Sequence, residues 1–355
     1  MSFYYPILKK GNAEIKALEE SLKQKSDIST EMLPIIEAPQ KADPNKWEQT
    51  FKTFGSYLKR KISGLEFAFQ YSTAFSTLPN NPEIGWKSSD GKNIIEYMHD
   101  RLSNGCSGYT PCFNYDDPDW ITGSIPQQDI EKIIVRIEPH KFESGLDEIV
   151  VNGIKTKFEN NFSDKRIIWL LDFYKDFSDV KRISSLVSLF LKTTKEENIV
   201  FGATSCPEDA NSVSHSQFSV ATSRDDLKTF LNLRSKFSKI SFADYTVRLK
   251  PDPSLVQKKD MNMNNTYLKI FYTTKNTYMI AKSGLIKNQK NDPSHLTIQE
   301  TCKLLIQSPF YSGSSYSWGD KKINECALGL FEINDHQVPI QIGINHHIFI
   351  TLDQL

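Results

Sequence analysis

Eight short apolar runs, separated by stretches with helical periodicity, occupy the first 250 residues of the sequence. The clearest is Arg166–Asp172, RIIWLLD, where large apolar residues follow one another and stop at a carboxylate. A run this short and unbroken suits a strand covered on both faces, as in a parallel sheet. The others are Tyr4–Leu8, Met32–Ile36, Phe67–Tyr71, Tyr109–Tyr115, Lys132–Ile137, Ile199–Ala203 and Ile240–Phe242. Between them, residues 13–24, 47–61, 92–103, 144–159, 179–195 and 224–237 place apolar side chains at helical spacing. Parallel strands need crossover connections, and helices supply them. The count and length predict an α/β fold, a (β/α)8 TIM-like barrel, which takes about 250 residues. A doubly wound open sheet is the competing arrangement, because alternation alone fixes only the class.

Beyond Pro251-Asp252-Pro253 and the polar run to Asn265, the pattern changes. Two runs around Lys275-Asn276 read as a hairpin, residues 297–307 as a helix, and residues 328–333, 338–343 and 346–351 as strands. The predicted division is a barrel domain over 1–252 and a small α+β C-terminal domain over 266–355.

Composition narrows the function classes. Lys+Arg and Asp+Glu are both 43, so no bulk charge draws the chain to nucleic acid or anionic membrane. No apolar stretch approaches the ~20 residues of a membrane-spanning helix. Five scattered cysteines, an odd number, read as reduced thiols, and the N-terminus lacks the pattern of a signal peptide; both predict a cytoplasmic protein.

In a barrel the C-terminal ends of the strands open on one face, which carries the site. Those ends here are Lys9 and Lys10, Glu37, Arg136 or Glu138, Asp172, Ser205, and Asp244 with Tyr245; Arg224 joins them where the next helix begins. Three carboxylates (Glu37, Asp172, Asp244) suit a hard cation, Mg²⁺ or Mn²⁺, or proton transfer. Lys9, Arg136 and Arg224, with Tyr245, suit a phosphate-containing ligand. Each also has a plain structural reading: Asp172 and Asp244 as caps, Arg136 with Glu37 as an ion pair within the barrel, and Lys9 with Lys10 as a solvated loop.

Other features point less firmly. His346-His347, read on a strand, face opposite ways and do not share a metal easily. Cys106 and Cys112 have no second pair for zinc. Ser205-Cys206 lies at a strand end without a nucleophile-elbow signature around it. Tyr311, Tyr316 and Trp318 fall in a Gly/Ser-rich stretch, where they stack on a base or partner or pack onto their own domain. No P-loop, G-x-G-x-x-G or H-E-x-x-H is present.

The opening Y-x-P-x-L-K, LPIIE ending at Glu37, the strand with Arg136, LLD at Asp172, S-R-x-x-L at Arg224, A-D-Y at Asp244-Tyr245 and HH at His346-His347 follow one another in an order that resembles the bacterial and phage "beta protein" family. The family's G-D-Y stands here as A-D-Y, and an Arg often found before the His pair is absent near Ile344. The resemblance implies a setting in phage-defence or mobile islands, with a protein partner from the same operon.

Two functions follow. One is a metal-dependent hydrolase of a nucleotide or nucleic acid at the barrel mouth, with Glu37, Asp172 and Asp244 as metal ligands or base. The other is a non-catalytic sensor or adaptor that binds a phage protein or nucleotide and passes the signal to a partner. Schiff-base chemistry is a third, disfavoured because Lys9 and Lys10 read as solvated.

Overall fold

The computed structural model describes residues 3–38, 47–71, 87–105, 109–248 and 266–355. In chain order these form β1 (Tyr4–Lys9), α1 (Asn12–Gln24), β2 (Ile35–Glu37), α2 (Trp47–Phe51), α3 (Phe54–Ile62), β3 (Phe67–Gln70) and α4 (Ile94–Gly105). Next come β4 (Tyr109–Asn114), α5 (Asp119–Gly123), β5 (Lys132–Ile137), α6 (Asp147–Asn161), β6 (Arg166–Asp172), α7 (Val180–Leu191) and β7 (Ile199–Gly202). Then follow β8 (Gln217–Ser223), α8 (Asp225–Lys236), β9 (Ser241–Asp244), β10 (Lys269–Thr273) and β11 (Thr277–Lys282). The chain closes with α9 (Ile298–Ile306), α10 (Trp318–Ala327) and α11 (Gln337–Leu352).

Two compact units emerge. The first comprises residues 1–10, 28–203 and 226–244; the second comprises 11–27, 204–225 and 245–355.

The first unit is a closed barrel of parallel strands in the order β1-β2-β3-β4-β5-β6-β7-β9. The expected α/β barrel is therefore the fold, with the eight expected runs as its staves. Carrying the register from Lys9 through Glu37, Gln70, Cys112, Ile134 and Ile168, and on around the sheet, returns to β1 displaced by about eight residues, the stagger of this barrel class. In β6 every residue after Arg166 is buried, as a strand covered on both faces requires. Its outer side meets aromatic packing: Trp169 lies against Phe158 of α6 and Phe190 of α7.

The second unit is built on the antiparallel sheet β10-β11-β8, with α9, α10 and α11 around it. The hairpin around Lys275-Asn276 forms as expected. The strands expected at 338–343 and 346–351 do not form; both lie in α11. Its Ile-rich stretch reads as strand by β-propensity, but the helix has buried side chains around most of its circumference, so it lacks the polar stripe that betrays a helix in sequence. Pro339 stands in its first turn, where a missing amide hydrogen costs nothing. Residues 328–333 form no strand, and α10 takes the place expected for loop, its start capped by Ser317 accepting from the Asp320 amide. The Ser/Thr-rich β8 falls within a stretch that reads as polar loop. The expected helix over 47–61 is two helices, α2 and α3. The stretch 251–265 expected as a linker lies outside the described residues, as does Cys106.

Candidate functional site at the barrel mouth

Register decides which side chains share the barrel interior, because residues paired across parallel strands face the same way. Lys9 pairs with Glu37, Glu37 with Gln70, and Gln70 with Cys112. Two residues further along β4, Asn114 pairs with Arg136, and Arg136 pairs with Leu170, two residues before Asp172. Lys9, Glu37, Gln70, Asn114, Arg136 and Asp172 thus all point inward at the C-terminal ends of six neighbouring strands.

Arg136 is the hub. Its Nε donates to Asp172 Oδ2 at 2.8 Å and its Nη2 reaches the same oxygen at 2.6 Å. Its Nη1 donates to Glu37 Oε1 at 2.8 Å and to Gln70 Oε1 at 2.6 Å. Glu37 Oε2 is held by Lys9 Nζ at 2.6 Å. Gln70 turns its amide nitrogen to Asn114 Oδ1. The second oxygen of Asp172 accepts from the Tyr174 amide at 3.0 Å, in a turn where Tyr174 takes a φ of 53°. Two cations and two carboxylates make a formally neutral group, and nearly all of it is dry. Side-chain exposure is 0% for Asp172, 3% for Glu37 and 7% for Arg136, against 14% for Lys9.

The electrostatics follow from this packing. Burial alone would push the Glu37 carboxyl up, but Lys9 and Arg136 outweigh it and hold it below its ordinary value. Cys112, in register with Gln70, has its thiol raised well above the ordinary value by burial. Lys10 is lowered by burial and lies 5.2 Å from the Phe54 ring centroid. Gly202 pairs with Asp172; a Cβ there would stand 3.0 Å from Leu170 Cδ1 and 3.3 Å from Asp172 Cα, so the bare backbone leaves the carboxylate its place.

Three expected members are elsewhere. Asp244 pairs with Pro6, one residue out of phase with the inward set, so it faces the outer side of the sheet; there it accepts from Tyr4 Oη at 2.6 Å. Its last-turn position in β9 put it at the right end of the barrel on the wrong face. Arg224 belongs to the second unit, where it donates to Gln354 Oε1 and Thr351 Oγ1 and lies over the Tyr278 ring. Tyr245 is a buried residue of that same unit. Of the other strand ends, Glu138 pairs with Lys141 near the surface. Gln70 and Asn114 are the members that sequence reasoning missed. Their signal is the strand-end position they share with the charged members.

These donors do not fit a divalent cation. Glu37 and Asp172 are joined through the guanidinium of Arg136, which a cation would have to displace, and the third expected ligand faces away. Among the described residues no group of three His, Cys, Asp or Glu gathers around a common point.

The His pair lies in the second unit. His346 Nδ1 is 2.7 Å from Asp320 Oδ2 and Nε2 is 2.6 Å from the Thr273 carbonyl. Tyr272 stacks on its ring at 3.9 Å and donates to Asp320 Oδ1. A carbonyl oxygen only accepts, so Nε2 carries a hydrogen and is closed to metal or substrate. His347 turns to Thr273 Oγ1 at 2.8 Å.

The parallel closed barrel with polar side chains converging at its C-terminal mouth defines a (β/α)8 protein with a second, α+β unit. The chain belongs to the Beta protein family, whose model matches residues 4–353. Solved structures show distant likeness. A β-mannanase from Streptomyces thermolilacinus is 11% identical, covering 71% of this chain and 81% of that one at a TM-score of 0.39. A mandelate racemase/muconate lactonizing protein from Paracoccus denitrificans PD1222 is 9% identical, covering 68% and 54% at 0.36. The catalytic domain of a mannanase from Streptomyces sp. SirexAA-E is 11% identical, covering 72% and 69% at 0.32. A search of curated proteins gave no match. Among the described residues no helix is long and apolar enough to cross a membrane.

Proposed function

We propose that this chain is a binding module whose barrel mouth takes a small phosphate-containing ligand of the nucleotide class, and that it works in the cytoplasm as a sensor or adaptor with a partner protein in a phage-defence or mobile-element setting. The observation that carries the binding reading is the order of exposure in the cluster: the most accessible charge is Lys9, a cation. An anionic group meets Lys9 first, while Glu37 fixes the ammonium in place and Gln70, held by Arg136 and Asn114, backs the cluster from within. Because Arg136 and Asp172 already satisfy one another, the cluster acts as a rigid floor, which lowers the ordering cost of binding. The setting rests on family membership.

The test is calorimetric titration of the chain with nucleoside mono-, di- and triphosphates and inorganic phosphate, with and without Mg²⁺. Saturable binding that Lys9→Met removes, with no turnover of the ligand, is the expected result. Turnover that depends on the divalent cation would replace this reading with the metal-dependent hydrolase.

A further inference from the structure

Lys269 opens β10 and pairs directly with Lys282, the last residue of β11. Residues opposite one another in an antiparallel pair put their side chains on the same face, where like charges repel. Among the described residues no carboxylate lies within ion-pair distance of either amine. The two lysines are not equivalent. Lys282 is 4% exposed, and its Nζ donates to the Ala210 and Val213 carbonyls at 2.9 and 2.8 Å, with the Tyr267 ring centroid 4.7 Å away. Its charge is held in place. Lys269 has no such acceptor among the described residues and is half-buried. Its Nζ lies 5.8 Å from the Tyr267 ring centroid and 5.4 Å from that of Phe271. These rings exclude water and return only the weak attraction of a ring face for a cation. The carboxylate whose charge reaches both lysines, Asp209, is turned to Asn211, accepting from its amide at 2.8 Å and its side-chain nitrogen at 2.6 Å. Burial therefore lowers the Lys269 pKa below the ordinary lysine value; Asp209 offsets part of this and Lys282 adds to it.

We propose that Lys269 is a reactive amine that takes a small aldehyde bearing an anionic group as an imine, with Lys282 as the fixed cation beside it. The unprotonated nitrogen attacks the carbonyl carbon, and the π pair goes to oxygen, which takes up a proton. The carbinolamine then loses water as the C=N bond forms. Amine and aldehyde become imine and water, with no change of oxidation state. Lys282 acts twice: its charge helps to keep Lys269 unprotonated, and it favours a ligand carrying a carboxylate or phosphate. Tyr267 and Phe271, two residues before and two after Lys269, give the approach an apolar lining. The residues involved all belong to the second unit, so this chemistry does not depend on ligand binding at Lys9.

The test treats the full chain with glyoxylate and cyanoborohydride near pH 7 and maps the reduced adducts by peptide mass. Lys269 should carry roughly tenfold more adduct than the exposed Lys175 and Lys181, as a tenfold larger unprotonated fraction gives. Acetaldehyde, which has no charge, should give a smaller excess. Lys282→Gln keeps donors for the Ala210 and Val213 carbonyls and removes the charge. It should cut the excess roughly threefold while the circular dichroism spectrum stays that of wild type. Competitive labelling of the wild type with acetic anhydride over a pH series reads the same amine without any variant, and Lys269 should outpace Lys175 and Lys181 at neutral pH. Adduct spread evenly over the exposed lysines overturns the proposal, as does a Lys269 acetylated no faster than Lys175 at any pH. So does an excess that Lys282→Gln leaves intact, or one that acetaldehyde reproduces in full.

Discussion

Arg136 grips a single oxygen of Asp172 with two of its nitrogens, at 2.8 and 2.6 Å, and leaves the other carboxylate oxygen to the Tyr174 amide. This division makes Asp172 the anchor of the mouth. Asp172→Asn keeps the shape but leaves the buried guanidinium with one carboxylate partner fewer. We expect a loss of about 3 kcal/mol in urea unfolding, since removing one member of a buried pair strands the other. A loss near zero would mean that water or Glu37 takes over the role.

Acid should act on the mouth through Glu37. Its folded value lies below the ordinary 4.5, so the folded chain binds fewer protons than the unfolded chain in that window. The stabilisation is complete above pH 4.5 and drains away as pH falls through the depressed value. Glu37→Gln should therefore flatten the acid limb of the stability curve. Lys9→Met should move that limb to higher pH, because burial then opposes the charge with less help. Chemical denaturation from pH 3 to 7 distinguishes the three proteins.

The Tyr4–Asp244 contact belongs to the outer side of the barrel wall. Tyr4→Phe removes one donor to a buried carboxylate, for an expected cost of about 2 kcal/mol. Ligand affinity at the mouth should stay within experimental error. A selective loss of binding with unchanged stability would return Asp244 to the site.

Much of this architecture was legible because each barrel strand is a short apolar run and most of them end at a polar residue. The inward set was half legible. Lys9, Glu37, Arg136 and Asp172 announce themselves by charge, whereas Gln70 and Asn114 look like ordinary strand ends. Asp244 misled because position along a strand says which end a side chain reaches, while its face depends on register, which pairs β9 with β1 across most of the chain. Arg224 misled because a helix start near the barrel can be claimed by another unit. The long buried helix α11 was hidden by the β-branched residues that fill it, and β8 by the weak apolar signal of QFSVATS.

In the second unit, His346 lies within hydrogen-bond distance of an oxygen at each ring nitrogen, Asp320 Oδ2 at one and the Thr273 carbonyl at the other, so its pairing with Asp320 is directional. His346→Phe should preserve the stacking on Tyr272 and leave the buried Asp320 carboxylate one partner fewer, with Tyr272 and Ser317 still donating to it. The expected cost is about 3 kcal/mol, read as earlier loss of protection in α10 and α11 by hydrogen exchange. Adding Asp320→Asn should recover part of it. If the double variant is simply the sum of the two single ones, the pair is not coupled.

The hydrogen bond from Asn345 Nδ2 to Ser21 Oγ spans 324 positions of sequence. It ties α11 to α1, so α1 leaves the ribosome long before its partner is made. The second unit consequently cannot be cut out as a contiguous fragment: a piece starting at Thr266 would lack α1, and β11 would lose β8 from one side. Contacts this distant in sequence are also slow to find, because the intervening chain must be ordered or closed off first. During synthesis, the barrel's strands are complete long before α1 has its mate, and α1 spends that interval with an apolar face uncovered.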